Sequence, residues 1–128
     1  MSKSIETHRD LNVWKESMLL AEMIYKWTES FPQREIFGLA SQMRRAAVSV
    51  SSNIAEGAAR NSSREFANFL SISRGSLAEL ETQVELAVRF GFAADRRVVD
   101  AKIELCGRML SALLASIRAR IRSSRLKR

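Results

Sequence analysis

One cysteine, one histidine, one proline and one tyrosine in 128 residues exclude several kinds of chemistry at once. With Cys106 alone, no intrachain disulfide forms and no cysteine cluster has zinc spacing, so a reducing compartment is expected. His8 is remote from any nucleophile, and the Glu-x-x-His pairs of carboxylate-bridged helical metal sites are missing. Glu79, Glu81 and Glu85 could approach Glu104 or Glu56, but carboxylates without imidazole make a poor transition-metal site. The five glycines are isolated rather than gathered in a phosphate loop. The longest apolar segment, MLLAEMIY, is broken by Glu22, and MSKSIETHRD lacks the apolar core of a signal peptide. The expectation is a cytoplasmic protein with no membrane span, no metal, no cofactor and no enzymatic activity.

What is present favours helix. Hydrophobic residues make up 46% and charged residues 27%, and Ala, Leu, Glu and Arg are abundant. The length suits a single core. A first helix is expected from an Asp10 cap to about Ser30, where Phe31-Pro32 ends it. Its stripe runs Leu11, Trp14, Met18, Ala21, Tyr25 and Thr28, widened by Leu20, Ile24 and Trp27. The second helix starts somewhere between Gln33 and Ser41, carries Leu39, Met43, Ala46 or Ala47, Val50 and Ile54, and ends on Gly57 as a residue tolerant of positive φ.

The third helix has the plainest start signal, Ser62 followed by Glu65, the spacing of a capping box. Phe66, Leu70, Ser73, Leu77, Leu80, Val84 and Ala87 then step by three and four to Phe90-Gly91. Mid-helix Gly75 suggests a close helix contact. The fourth helix begins near Asp95 with Val99, Ile103, Cys106, Leu110, Leu113 and Ile117 as its seam and Leu114 beside it. In that seam Cys106 reads as a small core residue rather than a nucleophile. Short links between helices of similar length give an all-α, antiparallel up-down-up-down four-helix bundle. Residues 1–9 are expected to be a flexible N-terminus, 10–117 the bundle and 118–128 a basic C-terminal extension.

The charge is unevenly placed. Of 21 basic residues, six are Arg118, Arg120, Arg122, Arg125, Lys127 and Arg128, a run without an acid that carries nearly all of the net charge of +7. Arg118, Arg122 and Arg125 share a helical face, so the last helix is expected to continue as a basic amphipathic extension. A solvated tail, an anionic membrane surface and nucleic-acid phosphate compete as its use, and phosphate binding is the preferred reading. Arg44, Arg45, Arg60 and Arg64 are candidates to widen that basic surface. Cutting the chain after Ser116 should then weaken nucleic-acid binding sharply.

The segment SVSSNIAEGAAR sets Ser49, Asn53 and Glu56 in one row, extended by Arg45. Such a row either faces water or packs on a neighbouring helix with paired donors such as Arg44, Arg45 or Arg74. Together LNVWKES and FGLASQMRRAAVSVSSNIAEGAARNSSREFANFLSISRGSLAELETQVELAVRFGF resemble the four helix bundle protein family first met in intervening sequences of bacterial large-subunit ribosomal RNA genes. The likeness covers residues 10–92, with the last helix fitting only in pattern. It implies a ring-shaped homopentamer and marks Arg44, Arg45, Asn53, Glu56 and Gly57 as part of the family's fingerprint. With Arg74, these polar side chains are expected to form a structural polar network. A distant relative, the accessory protein of diversity-generating retroelements, is a basic pentamer that binds nucleic acid and its reverse transcriptase. The resemblance therefore implies RNA binding or, as the alternative, docking of a protein partner such as a reverse transcriptase. Family members often carry proline where this chain has Ser51 and threonine where it has Ala40, so a lesser kink and a lost helix cap are expected.

Overall fold

A computed structural model describes residues 7–126, and Lys127 and Arg128 of the basic run lie outside them. Four helices, α1 (Asn12–Thr28), α2 (Leu39–Ala58), α3 (Ser63–Arg89) and α4 (Arg97–Leu126), account for most of the chain, and no strand occurs among the described residues. Each helix packs on its sequence neighbour, and α1 closes the ring against α4. Cross-helix contacts fix the directions. Arg44 Nε near the start of α2 donates to Thr28 Oγ1 at the end of α1 at 2.9 Å, and Ser73 Oγ of α3 donates to Val50 O of α2 at 2.7 Å. Trp27 Nε1 reaches Asp95 O at 2.9 Å, tying the end of α1 to the start of α4. The order is up-down-up-down. No helix among the described residues is long and apolar enough to cross a membrane.

The core is a stack of fully buried side chains, among them Leu20, Ile24, Met43, Val50, Ile54, Leu70, Leu80, Val84, Leu110 and Leu114. Each contributes roughly 1.5–3 kcal/mol through burial. The seam of α3 runs as its spacing predicts from Leu70 to Ala87, while Phe66 is only half-buried at its start. On α4 the line passes through Leu114 rather than Leu113. Helix α1 is turned further from expectation. Val13, Ser17, Leu20, Ile24 and Thr28 are buried, whereas Met18 and Tyr25 are more than 40% exposed. Ser17 and Thr28 tolerate burial because their hydroxyls donate to Trp14 O at 2.7 Å and Ile24 O at 2.8 Å.

The start of α1 differs from the sequence reading, whereas α2 begins at Leu39, inside the expected Gln33–Ser41, and Ser62 caps α3 as expected. Asp10 does not cap α1: it accepts from Thr7 N at 3.1 Å and closes a single 3-10 turn over His8–Asp10, and Leu11 precedes α1. His8 is held in that turn, its ring edge-on to Trp14 at 4.8 Å. The start of α2 is capped from outside, by Glu35 Oε1 accepting from Leu39 N at 3.1 Å. Ala40 lies within α2 and is buried, so it occupies no cap position. Helix α2 passes through Ser51 without a break, and the Ser51 hydroxyl donates to Val48 O at 3.1 Å. At α3, Ser62 Oγ accepts from Glu65 N at 3.1 Å, while the Glu65 carboxylate meets the Ser62 hydroxyl at 3.2 Å.

The glycine roles differ from those expected: Gly57 makes the close contact expected of Gly75, and Gly91 has the positive φ expected of Gly57. Gly57 is an ordinary helical residue, and Gly91 is the glycine with positive φ among the described residues, at 76°. A Cβ on Gly57 would stand 2.8 Å from Phe69 Cβ and 3.3 Å from Phe66 O, so close approach of α3 is what requires glycine there. A Cβ on Gly75 meets nothing within 4 Å, and the expected close contact is absent. Gly57→Ala should therefore cost about 1–3 kcal/mol from overpacking despite its better helix propensity. Gly75→Ala should stabilise by about 0.5–1 kcal/mol. Urea melts of the two variants read both signs, and a stabilising Gly57→Ala would contradict the contact.

Candidate functional site

Helix α4 continues unbroken to Leu126, and its sequence gives the reason. From Ile117 to Leu126 it holds Ile, Arg, Ala and Leu with two serines, Ser123 and Ser124, and no glycine or proline. Ile117 is buried, and Ile121 is partly buried against the core. Cations in the last turns also suit the negative end of the helix dipole. Arg118, Arg120, Arg122 and Arg125 are thus exposed on a helix anchored to the bundle rather than on a free tail. Cutting after Ser116 would remove Ile117 as well as the charges, so truncation cannot separate binding from folding.

Antiparallel packing lays this stretch of α4 beside the first turns of α3. Arg118 Nη2 reaches Ser71 Oγ at 3.5 Å. Arg120 and Arg125 join Arg64 of α3 around a cleft of 480 Å³ whose wall includes Ser63, Ile121 and Ser124. None of Arg64, Arg118, Arg120, Arg122 and Arg125 forms an ion pair among the described residues. Of the other widening candidates, Arg60 lies in the α2–α3 connection at this same end but is paired, and Arg44 is placed elsewhere. Arg60 pairs with Glu56 at 2.9 Å and lies 4.9 Å from the Phe69 ring centre. Arg44 stacks on Tyr25 at 4.8 Å, towards the opposite end of the bundle.

That opposite end is electrostatically different. Arg96 bridges Glu85 and Asp100 at 2.7 Å each, Arg89 pairs with Glu85 at 2.9 Å, and Arg97 pairs with Asp95 at 3.1 Å. Hydrogen bonds from Arg89 and then Arg96 hold the Glu85 carboxyl below its ordinary pKa, and Arg97 does the same for Asp95. Arginines at the α3–α4 turn are therefore locally neutralised, while those at the far end of the same two helices are not.

The polar row of α2 divides between the two alternatives. Asn53 Nδ2 donates to Ser49 O at 2.8 Å and Ser49 Oγ at 3.0 Å, and Ser49 Oγ meets Ser76 Oγ of α3 at 2.8 Å. That half is packed against α3. Arg45 and Glu56 are exposed, and Glu56 turns to Arg60. Arg74 lines a separate groove between α3 and α4 with Glu81, Asp100 and Glu104. Among the described residues, Arg44, Arg45, Asn53, Glu56 and Arg74 do not join into one hydrogen-bonded network. The cross-helix link that does exist uses Ser49 and Ser76, which a search for charged partners passes over.

Cys106 is fully buried, and burial first, then the Glu16 charge, pushes its thiol up to about 11. A thiol reagent at pH 8 should label the native chain roughly two orders of magnitude more slowly than the unfolded chain. Equal rates in native buffer and in denaturant would show that the thiol is accessible.

Residues 9–112 match the family described as 23S rRNA-intervening sequence protein. The chain belongs to this family. The match spans α1, α2, α3 and α4 as far as Ala112, and stops short of the basic turns at Arg118–Arg125. No curated protein matches the chain.

Proposed function

We propose that this protein is a non-enzymatic, oligomeric bundle that binds nucleic acid, RNA in preference, through phosphate contacts from Arg118, Arg120, Arg122 and Arg125. The observation that carries the reading is the set of arginines on α4, without carboxylate partners among the described residues, beside Arg64 of α3. Guanidinium forks match phosphate oxygens and stay charged at any physiological pH. A homopentamer, carried over from the resemblance, multiplies weak single-chain contacts by avidity.

Titrating the full chain with single-stranded RNA at increasing salt tests the reading. The expected result is an association constant that falls linearly on logarithmic axes, with a slope of about 0.7 per phosphate contact. No binding, or binding indifferent to salt, contradicts it. The second outcome favours a protein-docking scaffold, which has its own support: Phe37 is 94% exposed and Phe90 59% exposed, near the α1–α2 and α3–α4 connections.

A further inference from the structure

The grooves of the bundle differ in how their charges balance. The groove holding Arg74 is also lined by Glu81, Asp100 and Glu104, and the one holding Arg45 is lined by Glu79. An anion entering either meets carboxylates. The cleft between the start of α3 and the end of α4 is lined by three arginines, Arg64, Arg120 and Arg125, and by no carboxylate. Glu65, next to Arg64, is not itself part of the wall, but its carboxylate accepts from the hydroxyl of Ser62, a wall residue, at 3.2 Å.

We infer that this cleft receives the 5′-terminal phosphate monoester of an RNA chain, an inference that rests on the phosphate-binding reading above. Three arginines lining one cleft from two helices bring more positive charge to it than one internal diester can neutralise. A monoester brings about −1.5 to −2 at neutral pH on three acceptor oxygens, which suits such a set. The hydroxyls of Ser63 and Ser124 add donors, while Ile121 offers an apolar wall to the first ribose or base. The 480 Å³ of the cleft falls within the range of small-ligand sites, which accommodates a terminal nucleotide. Arg118 and Arg122 lie outside the cleft wall and remain available to the phosphates that follow.

The test compares two 3′-labelled single-stranded RNAs of about 12 nucleotides and the same sequence, one with a 5′-monophosphate and one with a 5′-hydroxyl. The full chain should bind the phosphorylated strand roughly tenfold more tightly, the worth of one additional charge-assisted hydrogen bond. Arg64→Gln should reduce that preference while the 5′-hydroxyl strand still binds in a salt-dependent manner, and Arg120→Gln should reduce the preference and also weaken binding of the 5′-hydroxyl strand, because Arg120 belongs to the general phosphate-binding set. Both side chains are exposed, so circular dichroism should show the variants folded. Equal affinity for the two strands overturns the inference and leaves the phosphate-binding reading intact. A preference unchanged in both variants overturns the assignment to this cleft, and binding of neither strand overturns the inference together with the reading.

Discussion

Leu80→Ala should lower the stability of the protein by about 2–5 kcal/mol, measured as a shift of the urea midpoint at fixed chain concentration. Leu80 is fully buried on the seam of α3, in the helix that packs on both α2 and α4. Truncation to alanine removes three carbons from a packed interior, and helices held by several neighbours collapse only partly into the space. The loss is the transfer free energy of those carbons plus the cost of the residual cavity. A change below about 1 kcal/mol would mean that the site refills or that α3 faces differently.

Replacing Arg118, Arg120, Arg122 and Arg125 together by glutamine should weaken RNA binding on the order of a hundredfold at low salt and flatten its salt dependence. Each lost phosphate contact removes about 0.7 from the slope for a single strand, so the change in slope counts the contacts made by these residues. All four side chains are exposed, and none makes an ion pair among the described residues, so the melt should hardly move. Substitution is the right instrument because Ile117 and Ile121 on the same turns pack on the core. Unchanged affinity in the quadruple variant would place the contacts elsewhere on the molecule.

The two later helices were the most legible elements. Their seams repeat apolar residues at steps of three and four, and Ser62 caps its helix from the position where a cap is sought. Helix α1 was harder because its buried line crosses Ser17 and Thr28, polar residues whose hydroxyls are satisfied by the backbone of the preceding turn. The start of α2 carries no sequence signal at its own N-cap, since Glu35 reaches forward from the preceding turn to supply the acceptor. Gly57 and Gly75 look alike in a helical pattern, and only the position of Phe66 and Phe69 distinguishes them. The arginine run was visible as composition. Its placement beside Arg64 depends on antiparallel pairing of α3 with α4, a contact that spacing within either helix does not specify.

The division of the molecule into a neutralised end and an unpaired cationic end also has a pH consequence. Glu85 and Asp95 have carboxyl pKa values held down in the folded chain, by Arg89 with Arg96 and by Arg97 respectively. Their stabilising contribution is present above the ordinary carboxylate pKa and is lost as pH falls through the depressed folded values. Acid should therefore loosen the α3–α4 turn while the arginines at the other end keep their charge.

The central claim, that one end of the bundle contacts phosphate, is tested most directly by following the arginine Nε–H resonances of the isotope-labelled full chain as single-stranded RNA is added. The predicted result is perturbation of Arg64, Arg118, Arg120, Arg122 and Arg125 with Arg89, Arg96 and Arg97 unmoved. Shifts confined to the paired arginines of the α3–α4 turn, or no shifts at RNA concentrations that saturate binding, would contradict it.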